Sequence, residues 1–228
     1  MTINQEAQWT LYCELFSERQ MNKYAAQDTT SSQAVDIYTA NLAASSRFWP
    51  RLAVLELALR TTLDAQLEKR SHDKGRKVHW VLDQHNEIRM KNPRAAQDLD
   101  KAREILKRTS RAVTPGNIMD ELPLGFWTIL VSNRLKEMWP DLAAGFKGLD
   151  SRNSQELTSL LKFFKNFRNQ IGHHHVIIFM DLQAVETKLI RLAQLIDPRL
   201  EEILRTFDGR DRRATIQTTQ GWSHHECS

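Results

Sequence analysis

The chain has 228 residues, of which 41% are hydrophobic and 26% charged, a composition that excludes disorder over most of its length and is sufficient for a buried core. Eight glycines and six prolines are too few for a sandwich or barrel, which needs a turn every ~8–12 residues, so a single all-α domain is favoured before any pattern is read. The longest apolar run, Val176 to Met180, is far below the ~20 residues of a membrane span, and the amino terminus lacks a signal pattern, so a cytoplasmic protein without membrane association is expected. Cys13 and Cys227 have no metal-type spacing and fit a reducing compartment.

The net charge of +4 is mild, but it is unevenly spread. Between residues 66 and 115, 13 Lys/Arg stand against 7 Asp/Glu, while the rest of the chain is close to balanced. Lys101, Arg103, Lys107, Arg108 and Arg111 lie on one helical stretch and form a candidate RNA-binding stripe, since such a row can neutralise phosphates. A solvated helix surface is the plainer account of the same residues.

In chain order, residues 5–24 read as a first helix, with Trp9, Tyr12, Cys13 and Phe16 gathered on one face as core packing. Asp28 to Ser32 is a polar linker rich in N-cap candidates for a helix starting near Gln33. The pair Ser45-Ser46 predicts a break, with Pro50 near the start of a second, long buried helix from Phe48 to Leu67. Further helices are expected over 92–111, in two short pieces around Leu122-Pro-Leu-Gly125, over 154–171, and over 181–207 with a kink or restart at Asp197-Pro198. Phe126 and Trp127 read as core anchors, with a base-stacking platform as the sharper alternative. From Asp208 the hydrophobic periodicity ends, and a flexible tail over 208–228 is expected; His224, His225 and Cys227 in it are weak metal-ligand candidates.

The segment Phe163 to His175 holds the densest chemistry. An apolar helix face runs into Arg168, Asn169 and three consecutive histidines. At ~100° per residue Asn169 and His173 share a face, whereas Arg168 lies about 140° away from His173, and Gly172 is placed to end or distort the helix between them. Cleaving RNA without a metal requires a group that moves a proton at the ribose 2′-hydroxyl or the leaving 5′-oxygen, and a cation for the charge that grows on phosphorus. Histidine titrates in the useful range and arginine is a permanent, bidentate phosphate clamp. A surface histidine cluster and a metal-binding regulator are the competing readings; adjacent side chains diverge, so three consecutive histidines rarely chelate one ion. Glu56 and Arg60 sit four residues apart on a helix, either as an ion pair at the core edge or as the lining of a polar cleft.

Arg168-Asn169-x-x-x-His173 resembles the Arg-x(4 to 6)-His signature of the HEPN superfamily, in the form found in its Abi-like abortive-infection proteins. Leu55-Glu-Leu-Ala-Leu-Arg60 resembles that family's Glu-x-Ala-Leu-Arg helix, and Leu124-Gly-Phe-Trp127 its mid-chain Phe-Trp segment, so the likeness spans about residues 35–207.

The resemblance implies a HEPN-like helical bundle over 31–207, preceded by an N-terminal helical segment over 1–30. It implies a metal-independent endoribonuclease, without cofactor, acting in phage defence or as a toxin-like growth inhibitor. Arg168 would stabilise the phosphate, Asn169 would orient the site and His173 would be the acid/base, with His174, Glu56 and Arg60 in support. His174 and His175 also satisfy the looser spacings, so the acting histidine is left open. One motif per chain implies a homodimer with a composite site, and RNA and an antitoxin as further partners. A non-catalytic RNA-binding module of the same fold is the alternative.

Overall fold

Thr30 starts the helix that organises the molecule. Its hydroxyl accepts the Gln33 N–H at 3.3 Å while the Gln33 side chain accepts the Thr30 N–H at 2.8 Å, a reciprocal cap that satisfies two orphan donors. The computed structural model describes residues 5–25, 29–132, 135–150 and 154–207. Among them are α1 (Gln5–Phe16), α2 (Glu18–Met21), α3 (Ser31–Asp73), α4 (Glu87–Lys91), α5 (Pro93–Arg108), α6 (Pro115–Glu121), α7 (Leu124–Leu130), α8 (Trp139–Ala143), α9 (Gln155–Gly172), α10 (Leu182–Ile196) and α11 (Arg199–Arg205). There is no strand among the described residues, and the fold is all-α. The residues expected to form a tail, 208–228, lie outside this set, as do His224, His225 and Cys227.

The helix α3 corrects the expected break at Ser45-Ser46. It runs unbroken for 43 residues, about 65 Å at 1.5 Å per residue, with Pro50 inside it. The reason is tertiary. Ala34, Asn41, Phe48 and Leu55, each seven residues apart, continue into Leu59, Leu63 and Leu67 as one buried stripe, and burial along that stripe outweighs the local cost of the proline. In the turn before Pro50, the buried Arg51 side chain donates from Nη1 to the Arg47 carbonyl at 2.8 Å. The same guanidinium faces Glu186 of α10 at 3.6 Å, so a charge buried in α3 is matched from a second helix.

The N-terminal segment also departs from expectation. Ser17, at φ 69°, divides it into α1 and α2. Phe16 is left substantially exposed, and the segment packs on the first half of α3 through edge-to-face contacts of Tyr12 and Tyr24 with Tyr38. It therefore forms an aromatic satellite beside the main core, which runs from Phe48 to Leu204. Phe126 and Trp127 are fully buried there against Trp80, as core anchors; their burial removes the base-platform reading. The expected restart at Asp197-Pro198 separates α10 from α11.

Candidate functional site

The site grows from the packing of α9 on α3. Phe164 and Phe167 of α9 are buried, and Phe167 meets Phe48 of α3 edge to face at 5.1 Å. One residue is ~100° of helix, so Arg168, next to Phe167, emerges at the flank of this contact. Glu56 emerges in the same way beside the buried Leu55. The two flanks meet, and Arg168 Nε lies 3.5 Å from Glu56 Oε2.

The other Glu56 oxygen accepts from Arg60 Nη2, one turn along α3. The carboxylate, 13% exposed, thus sits between two guanidiniums, of which Arg168 is 37% exposed. Two cations on one anion leave an excess positive charge at the cleft, ready for an anionic ligand. Trp49 borders the same cleft, with the Arg168 guanidinium carbon 5.9 Å from its ring centroid.

At the far end of α9 the helix stops at Gly172, just before His173, as expected, but the glycine does not take the left-handed turn that closes it. His174 takes that turn, at φ 55°. Its N–H donates to the Ile171 carbonyl at 3.1 Å and the His175 N–H donates to the Gln170 carbonyl at 2.8 Å, the two bonds of a Schellman cap built on histidine where glycine is usual. Asn169, His173, His174 and His175 are all exposed, and the His173 and His175 rings lie 6.2 Å apart. Because the helix stays regular through Gly172, Asn169 and His173 share a face and Arg168 points to another; no hydrogen bond joins Arg168 to His173 among the described residues.

The histidine loop is held from beneath by Asn41, 1% exposed on α3. Its Oδ1 accepts the N–H of Ile177 at 2.7 Å and of Ile178 at 3.1 Å, and its Nδ2 donates to the His175 carbonyl and the Tyr24 hydroxyl, each at 3.3 Å. Three of these four hydrogen bonds hold the loop and the fourth ties in Tyr24; Asn41 was not singled out from the sequence for this role. The available signal was a polar residue at a seven-residue interval in an otherwise apolar stripe.

The basic residues of α5 lie elsewhere, on a helix packed against α4, α6 and α7. Lys101, Lys107 and Arg108 are exposed. Arg103 is not: its guanidinium turns inward to donate to the Val81 carbonyl at 2.7 Å and the Leu82 carbonyl at 3.2 Å, and burial followed by the neighbouring Arg89 charge lowers its pKa. Arg111 pairs with Glu121. The expected single stripe is therefore reduced, with Arg103 serving the fold. Among the described residues no helix is long and apolar enough to cross a membrane, and no three His, Cys, Asp or Glu side chains are grouped to hold a metal ion. No family model, curated protein or solved structure matches the chain.

Proposed function

We propose that the protein is a metal-independent endoribonuclease of the HEPN type, acting in phage defence or as a toxin-like growth inhibitor. The observation that carries this reading is the contact of Arg168 with Glu56, which in turn holds Arg60. Two sequence motifs on separate helices, each resembling a stretch of that family, supply the walls of one cleft.

In the reaction the ribose 2′-oxygen attacks the adjacent phosphorus, and the bond from phosphorus to the 5′-oxygen breaks. The products are a 2′,3′-cyclic phosphate and a 5′-hydroxyl. His173 takes the 2′-hydroxyl proton or delivers one to the departing oxygen, and Arg168 holds the charge on the non-bridging oxygens. Glu56 is a positioning residue that fixes the Arg168 side chain. Since Arg168 and His173 diverge within one helix, a second copy of the chain supplies the complementary group, in keeping with a homodimer. That same divergence is what favours the second reading, a non-catalytic RNA-binding module in which Arg168 grips phosphate.

The test is induced expression of wild type, Arg168→Ala and His173→Ala at equal soluble levels, with total RNA examined and fragment ends mapped. Growth arrest and fragments ending in cyclic phosphate for the wild type, absent from both variants, support the ribonuclease. Variants that behave as the wild type overturn it in favour of the binding module.

A further inference from the structure

We propose that the cleft beside Arg168 is a nucleobase subsite, which takes one unpaired, carbonyl-bearing base of single-stranded RNA stacked on Trp49. This deepens the proposed function and rests on the reading of the chain as an RNA-acting protein.

Trp49 stands 46% exposed between the fully buried Phe48 and the partly buried Pro50. The core is complete without it, and a large aromatic face is left at the surface beside a cation. Trp49, Leu52 and Leu57 form the apolar wall of the cleft, and Glu56, Arg60 and Arg168 form the polar one. The open cleft has a volume of about 220 Å³, below the ~300–1,000 Å³ of sites for drug-sized ligands and of a size for a single heterocycle. Stacking on an indole is open to any base, because every base has a π-face.

The polar wall restricts which base fits. Both Glu56 oxygens face guanidiniums, Oε1 accepting from Arg60 Nη2 and Oε2 lying 3.5 Å from Arg168 Nε, so the wall carries two guanidiniums to one carboxylate and N–H donors outnumber acceptors. A carbonyl oxygen entering the cleft is the natural complement of the Arg60 and Arg168 guanidiniums that line it. Uracil and guanine carry such an oxygen on the edge opposite the sugar. Adenine places an amino group there, which would face more donors. Arg168, adjacent to the indole, then meets the phosphate of the same nucleotide, so base and phosphate are held by one patch.

The experiment uses the full chain carrying His173→Ala, so that RNA is not consumed, and measures anisotropy of short fluorescein-labelled oligouridine and oligoadenosine. Oligouridine is expected to bind at least about fivefold tighter than oligoadenosine. Adding Trp49→Ala weakens oligouridine binding about tenfold, the loss of one stacked base, while Trp49→Phe retains most of it. Circular dichroism melts confirm that each variant folds. Equal affinity with and without the indole overturns the proposal, as does equal affinity for the two RNAs. So does a Trp49→Ala variant that separates a dimer in sedimentation with RNA affinity unchanged, since Trp49 then belongs to an interface between copies. Cleavage by the wild-type chain is scored separately. A chain that binds through Trp49 and never cleaves loses the ribonuclease reading and keeps the subsite; a cleaving chain indifferent to Trp49 does the reverse.

Discussion

Asn41 and Ile177, 136 residues apart, are joined by a buried hydrogen bond of 2.7 Å from the Ile177 N–H to the Asn41 Oδ1. Through it the first third of α3 fixes the loop that follows the three histidines. Asn41→Ala leaves the N–H groups of Ile177 and Ile178 and the His175 carbonyl without this partner, and a destabilisation of about 3 kcal/mol is expected from such orphaned groups. Urea denaturation measures it, and a loss below about 0.5 kcal/mol would show that the loop finds other partners.

His174 occupies the left-handed position of the α9 cap with φ 55°. Glycine adopts that conformation without a Cβ penalty, so His174→Gly is expected to stabilise the protein by about 1 kcal/mol. If His173 is the acid/base, the same variant retains RNA cleavage. Thermal melts and a cleavage assay read the two consequences independently, and abolished cleavage in a more stable protein would transfer the chemical role to His174.

Glu56 holds Arg168 but also places a negative charge where an RNA phosphate would approach. Glu56→Gln is therefore expected to lower KM for RNA about two- to threefold, by removing repulsion, and to lower kcat about tenfold, by releasing the guanidinium. Glu56→Asp should recover part of kcat. A variant that changes neither parameter would reduce Glu56 to an ion-pair partner of no consequence for the reaction.

Acid should destabilise the fold through its paired carboxylates. Burial pushes the Glu87 pKa up, but the hydrogen bonds and charges of Arg70 and Lys74 outweigh it and hold the group below its ordinary 4.5. Arg199 and Lys147 likewise hold Asp197 far below the usual carboxylate range. A carboxyl with a lowered folded pKa binds fewer protons folded than unfolded. Its contribution is present in full above the unfolded value and is lost as pH falls through the folded one. Urea midpoints should fall from about pH 5 to about pH 3, and Glu87→Gln should lower the midpoint near neutrality while flattening that slope. An unchanged slope in this variant would assign the acid sensitivity to other carboxylates.

Helix class was legible from composition and period, and so were most boundaries, because caps and breakers act locally. Pro93 opens α5 and Asp197-Pro198 separates α10 from α11, whereas α4 and α8 were not expected. Local chemistry misled where distant contacts decide. Ser45-Ser46 and Pro50 read as a break, yet α3 passes through them because its apolar stripe is buried by other helices on both sides of the proline. The helix α9 does stop at Gly172, as its local chemistry suggests, but the left-handed turn falls on His174 and Asn41 secures the loop beyond it.

By itself the sequence determined which residue types are present and on which helix each stands: Glu56 and Arg60 one turn apart, and Arg168, Asn169 and His173 within six positions. Spacing along a chain fixes neighbours only within a turn or two of helix. Only the tertiary structure decided that Arg168 joins Glu56 and Trp49, and that Arg103 serves two backbone carbonyls. These relations depend on how burial of Phe48, Phe164 and Phe167 sets one helix against another, because the groups at the flanks of that contact are brought together by packing and not by proximity in sequence.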